Sequence, residues 1–195
     1  MVFNIQEFEQ PGQQSYDNIS VLLNIARNNN IVSFLEIGTS SGMSLMALVE
    51  YLTYEKNKPL KFVVVSDTWG GVHGGTNYGS HDFVLELLEP YTENGLDAVF
   101  LDGESQIEIP KFAGSTDKTY DLIHVDGLHT YDGCRADVKN CRSLLKDDGL
   151  MVVDDTHHHA HMELVQCMKD ICAEDGFSCI YKTDHGTGAT VLQKS

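Results

Sequence analysis

The chain has 195 residues, 42 % hydrophobic and 22 % charged, which suits one domain with a real core. Thirteen Lys and Arg against 29 Asp and Glu give a net charge of -16, and no basic stripe stands out. This balance excludes a nucleic-acid binder or a protein of anionic membrane surfaces, and it suits a small-molecule partner or a cation.

The opening stretch, MVFNIQEFEQPGQQ, lacks the basic, apolar and small-residue segments of a signal peptide. No apolar run approaches the roughly 18–20 residues of a membrane helix. A cytoplasmic protein is therefore expected. Residues 16–29 place Ile19, Leu22, Leu23 and Ile25 at helical spacing. The run IVSFLEIG, 31–38, is a strand ending in glycine, and 41–54 is helical with Leu45, Leu48, Val49 and Leu52 on one face. KFVVVSD, 61–67, is continuously apolar, as a strand buried on both faces should be. A glycine-rich loop, 68–81, holds Trp69 and Tyr78. Following a strand end, it is placed to act as a lid, and its two rings are candidates to stack on a ligand. A short helix, 80–91, stops near Pro90.

Strands follow at 96–103, 120–127 and 149–155, with an amphipathic helix at 133–146 between the last two. It carries Cys134 and Cys141 on one face as small core residues. The five cysteines are odd in number, form no CxxC pair and lie late in the chain, which argues against a disulfide framework or a zinc knuckle. A helix at 160–175 precedes two final strands, 177–183 and 188–194, spaced to pair as a hairpin. The alternation predicts an α/β fold: a Rossmann-like, doubly wound, mostly parallel seven-stranded sheet with a C-terminal antiparallel hairpin. Residues 1–195 read as a single domain, with 1–30 an N-terminal helical segment and second candidate lid.

In such a sheet ligands bind beyond the carboxyl ends of the strands. The first strand ends LEIGTSSG, where Glu36, Gly38 and Gly42 form an acidic-x-Gly-x-x-x-Gly pattern. The second ends on Asp67, a carboxylate able to accept two hydrogen bonds from a ribose diol. Ser40 stands where a dinucleotide fingerprint has its second glycine, so a nucleoside without a diphosphate fits better.

FLEIGTSSG resembles motif I of the class I S-adenosylmethionine-dependent methyltransferases, and the resemblance extends over most of the chain. DGESQIEIP, 102–110, is similar to the catechol O-methyltransferase segment in which a Gly-x-Ser-Gln loop touches the adenine. The cofactor set so implied is Glu36, Gly38, Thr39, Ser40, Gly42, Asp67, Thr68, Gly103, Ser105, Gln106 and Asp126. Asp67 departs from the glutamate of many relatives but keeps the acceptor role.

Metal-dependent members of that family end one strand on an acid and the next on an acid followed by Asp or Asn. Asp126, Asp154 and Asp155 match, which implies Mg2+ or another divalent cation. Adjacent strand ends lie about 5 Å apart, close enough for carboxylates to share a hard cation. Aspartates at strand ends also cap helices, which accounts for any one of them singly. His129 stands where the catechol enzyme has its lysine base, and DGLHTY also resembles macrocin O-methyltransferase relatives. The resemblance thus implies His129 as general base, with an ordinary pKa of about 6.5.

Of His157, His158, His159 and His161, one of the first three is expected to face the substrate. His124 is expected to be a satisfied core residue. The function so implied is S-adenosylmethionine-dependent, metal-assisted methylation of a small-molecule hydroxyl, with dimerisation left open. The alternatives are a non-heme iron hydroxylase built on Asp126, His129 and one of His157–His159, or a non-catalytic S-adenosylmethionine-binding protein.

Overall fold

Seven strands form one sheet in this computed structural model, which describes residues 18–70 and 80–195. They are β1 (Ser33–Ile37), β2 (Phe62–Asp67), β3 (Asp97–Asp102), β4 (Tyr120–Val125), β5 (Leu145–Asp154), β6 (Phe177–Thr183) and β7 (Ala189–Lys194). Their order is β3-β2-β1-β4-β5-β7-β6. β3 to β5 run parallel, and β7 joins β5 and β6 antiparallel, so the expected C-terminal hairpin is present. Residues 1–17 of the candidate lid segment, and 71–79 of the glycine-rich loop with Tyr78, lie outside the described residues.

The helices are α1 (Asn18–Asn28), α2 (Met43–Glu50), α3 (His81–Thr92), α4 (Ser105–Ala113), α5 (Tyr131–Cys141) and α6 (Glu163–Glu174). The period of two along each strand divides the core between them. Phe34, Val63, Val65, Leu122, Leu150 and Val152 pack with α1, α2 and α3. Their neighbours Leu35, Val64, Ile123, Met151 and Val153 face the other way, onto α4, α5 and α6. With both faces covered, continuous apolar runs are what the middle strands need, and each fully buried Leu or Ile contributes about 1.5–3 kcal/mol. Cys134 and Cys141 lie buried on the second side as small core residues.

Two helices differ from expectation. α3 carries Pro90 inside it and ends at Thr92, because a proline near a helix end removes only one backbone bond. α4 begins at Ser105, within the stretch read as a ligand loop, and carries Pro110. After α2 the helix widens into a π turn, Tyr51–Glu55. At the lower edge, buried Asp121 accepts hydrogen bonds from Val32 N, Ser33 N, Ser33 Oγ and Lys146 Nζ, tying β1, β4 and β5 together. The chain leaves β1 toward β2 and β3, then crosses back to β4 and β5. The upper ends of β1 and β4 are therefore the switch point at which a ligand crevice opens.

Candidate functional site

The turn after β1 is built from left-handed backbone: Gly38 has φ 81°, Ser40 51° and Gly42 77°. The missing side chain of Gly38 makes room for protein rather than ligand. A Cβ there would overlap the carbonyl oxygen of Asp126 and stand 2.6 Å from its carbonyl carbon. Gly38 N donates to Ser66 O at 2.8 Å, and Asp126 N donates to Ile37 O at 2.9 Å. The β1 turn is thus clamped between the ends of β2 and β4. Gly42 is needed for its backbone angle, because a Cβ there would meet nothing closer than 3.6 Å.

Asp67 closes over this turn. Its two oxygens accept from Ser40 N and Trp69 N, each at 2.7 Å. Both keep a further lone pair for a ligand hydroxyl. Thr68 lies between Asp67 and Trp69, and the Trp69 indole N–H reaches Asp102 Oδ1 at 2.8 Å. Trp69 packs against His81, which packs against Phe100, so it stacks on protein rings at the ends of β2 and β3. Gly103, Ser105 and Gln106 follow β3, the last two in the first turn of α4.

Glu36 is not on this surface. It is fully buried, with Oε1 accepting from Ser44 Oγ at 2.6 Å and 3.0 Å from His124 Nδ1. Glu36 thereby anchors the first turn of α2 to β1. Its Oε2 has no hydrogen-bond partner among the described residues. His124 is the buried, bonded core histidine expected. Burial lowers its pKa, but Glu36, with the charges of Asp126 and Asp154, raises it overall.

Asp126 and Asp154 end β4 and β5 one step beyond the paired Val125 and Val153, so they share a face. Burial, and next the charge of Asp126, push the Asp154 carboxyl up to about 7. Burial and the neighbouring charge of Asp126 both disfavour the ionised form of Asp154, which is the electrostatic condition a cation relieves. Asp155 is turned differently. Consecutive strand residues face opposite ways, and Asp155 adopts φ 55° as the strand ends. Among the described residues the donor atoms gather in two groups, each within 4.8 Å: His124, Asp126 and Asp154, and His129, Asp155 and His161. The three aspartates therefore do not close on one point.

His129 bridges these groups, with Nε2 3.0 Å from Asp126 Oδ1 and Nδ1 3.3 Å from Asp155 Oδ2. The Asp126 hydrogen bond raises its pKa above the ordinary value. Two flanking carboxylates favour the protonated imidazole, and neutralising either one weakens that preference. The histidine tract lies beside this pair. His157 and His159 are exposed, and His158 packs against His161. It is His161 whose ring meets His129, at 4.8 Å between centroids.

Two further residues were not singled out from the sequence. Asp102, in register with Asp67, holds the Trp69 indole. Asp137, on α5, is fully buried beneath the β3 turn with Oδ1 3.0 Å from Gln106 Nε2. The available signal for Asp137 was an acid on the apolar side of an amphipathic helix.

The fold has known counterparts. CalS11, a TDP-rhamnose 3'-O-methyltransferase of calicheamicin biosynthesis, superposes with a TM-score of 0.70 at 16% identity, over 97% of this chain and 83% of its own. An O-methyltransferase from Bacillus cereus in complex with SAH gives 0.66 at 14% identity, over 97% and 86%. TomG from Streptomyces achromogenes, an O-methyltransferase of tomaymycin synthesis in complex with SAM, gives 0.64 at 17%, over 97% and 85%. No curated protein matches the sequence significantly. These likenesses fix the fold, a Rossmann-like methyltransferase sheet. A family model described as a methyltransferase domain matches residues 35–156, from within β1 to just past the Asp154–Asp155 pair. Well over half of the sequence lies within that match, and the chain belongs to the methyltransferase domain family.

Proposed function

We propose that this methyltransferase transfers a methyl group from S-adenosylmethionine to a hydroxyl of a small molecule, assisted by a divalent cation. One observation carries the reading: the Asp126–Asp154 carboxylates stand where β4 and β5 end, beside the glycine turn of β1, and His129 links them to Asp155. When bound, the cofactor supplies an electrophilic methyl on a sulfonium and the cation supplies Lewis-acid polarisation of the acceptor oxygen.

The chain's own residues fit both groups. Asp67 offers spare acceptor capacity to a ribose diol, and the 38–42 turn is held open beside it by Gly38 and by Glu36 through Ser44. Asp126 and Asp154 offer hard oxygen donors whose mutual repulsion a cation removes. His129 takes the proton of the acceptor hydroxyl. Neutralising Asp126 removes the main cause of its raised pKa and frees it to do so. The acceptor enters from the side of His129 and His161, where a fixed oxygen and a fixed methyl gain in rate from alignment alone.

The relatives named above support an oxygen acceptor, since CalS11, the Bacillus enzyme and TomG are each described as O-methyltransferases. The 1–195 span is read as a single methyltransferase domain. Calorimetry tests the cofactor: Asp67→Ala should weaken S-adenosylmethionine binding by about 10- to 100-fold, as loss of charge-assisted hydrogen bonds does. Equal affinity would sink the assignment. Activity on vicinal diols that survives exhaustive chelation would remove the cation from the mechanism.

A further inference from the structure

Beneath the β3 turn lies a buried carboxylate that the methyl-transfer chemistry does not use. Asp137 has no solvent exposure. Its Oδ1 is 3.0 Å from Gln106 Nε2, and the same nitrogen lies 3.0 Å from Ser105 Oγ. Its Oδ2 is buried without a hydrogen-bond partner among the described residues. That oxygen presses on Gly127, where an added Cβ would stand 2.8 Å away. Gly127 follows Asp126, so α5 here touches both the β3 turn and the β4 turn.

Burial pushes the Asp137 carboxyl up to about 6, which leaves it ionised above neutral pH. An ionised carboxylate accepts hydrogen bonds and donates none. The Gln106 amide must therefore turn its NH2 toward Asp137 and Ser105. Among the described residues its carbonyl Oε1 is left without a partner, and Gln106 is half-buried rather than sealed. The amide could otherwise present a donor or an acceptor with equal ease; the acid below it removes the choice.

The location says what would meet that oxygen. Asp67 and Asp102 are register partners at the ends of β2 and β3, and neighbouring strands lie about 5 Å apart. A nucleoside with its diol at Asp67 and its 5' end over the β1 turn carries its base toward the end of β3. Gly103 and Gln106 stand there, and Gly103 N is bonded back to Asp67 O at 2.9 Å.

We propose that Asp137 is a positioning residue that locks the Gln106 amide with its carbonyl outward, and so selects a 6-amino purine over a 6-keto purine in the cofactor. This rests on the S-adenosylmethionine reading given above. A 6-amino group donates to Oε1. A 6-keto oxygen would face it acceptor to acceptor, and in a partly desolvated site that mismatch is heavily penalised.

The test compares S-adenosylhomocysteine with S-inosylhomocysteine by calorimetry on the full chain. Wild-type protein should prefer the adenosyl ligand by about 100-fold, the scale of one mispaired polar group in a built site. Asp137→Asn, nearly equal in volume, can pair with either end of the amide. It should shrink the preference to less than about tenfold, partly by improving inosyl binding, which a merely structural defect would not do. Gln106→Ala should erase the preference by itself, and adding Asp137→Asn to it should change nothing further.

A preference unchanged in Asp137→Asn, or both ligands weakened alike, would overturn the proposal. Should Asp137→Asn not fold, Gln106→Ala decides the matter, since a preference that survives it overturns the proposal too. Wild-type protein that binds neither ligand would overturn the cofactor reading and this proposal together. One that binds both equally would overturn the proposal alone.

Discussion

Replacing Gly38 by alanine perturbs the molecule at the place where its sheet and its ligand edge are joined. The new methyl carbon would overlap the Asp126 carbonyl oxygen, and would stand 2.6 Å from Asp126 C and 3.2 Å from Gly127 N. All of these lie inside the 3.4 Å at which ordinary contact begins, and all are backbone, so no side chain can swing aside. The ends of β1 and β4 must then part by more than an ångström. That strains or breaks two buried bonds, Asp126 N to Ile37 O and Gly38 N to Ser66 O. Each is worth about 0.5–1.5 kcal/mol. Holding an alanine at φ 81° adds about 1–2 kcal/mol. The expected loss is therefore roughly 2–5 kcal/mol, read as a lowered urea midpoint at unchanged m-value. Cofactor binding should fall with it, because the same shift displaces Asp126 and the 38–42 turn. An unfolding free energy within about 1 kcal/mol of wild type, with cofactor affinity intact, would refute the account of Gly38 as a packing glycine.

Three other outcomes follow. With its carboxyl raised to about 7, Asp154 holds a proton in the folded protein that the unfolded chain, at 3.8, has already released. The cation-free fold should thus lose stability from about pH 4 to about pH 7, by on the order of 4 kcal/mol at most. Asp154→Asn should flatten this dependence, and parallel slopes for the two proteins in urea titrations with chelator would contradict it. His129→Ala should reduce turnover by about 10²–10⁴-fold and leave cofactor affinity alone. Wild-type activity should rise with pH, and its midpoint should drop when cation is added; a cation-independent midpoint argues against the coupling. If the cation sits on the Asp126–Asp154 pair, His161→Ala should leave Mg2+ affinity within about twofold while Asp154→Asn abolishes it. The reverse pattern would move the ion to His129, Asp155 and His161.

What the sequence made legible was the framework. Runs such as KFVVVSD and YDLIHV are apolar on consecutive residues because both sheet faces are covered; a strand with one solvated face would alternate instead. The strand ends then brought the carboxylates and the β1 turn to one edge without further information. What stayed hidden depends on direction rather than on position. Asp154 and Asp155 were grouped by the family resemblance, whereas consecutive strand residues point to opposite faces and Asp155 leaves the strand at φ 55°. Glu36 looked like a ligand contact, but its partner His124 lies on the neighbouring strand, 88 residues away. No local pattern discloses such a pairing. The start of the helix Ser105–Ala113 was read as loop from its resemblance to a Gly-x-Ser-Gln segment, and His161 was overshadowed by the three histidines before it.

The Trp69 contact has a practical side. Trp69 is the sole tryptophan of the chain, and its indole N–H is tied to Asp102 while its backbone is tied to Asp67. Emission excited at the red edge of protein absorbance therefore comes from one ring, seated at the ends of β2 and β3. Any ligand that competes for either carboxylate changes the polarity around that ring. The protein thus carries its own optical reporter, and occupancy of its nucleoside side can be followed in real time without a label.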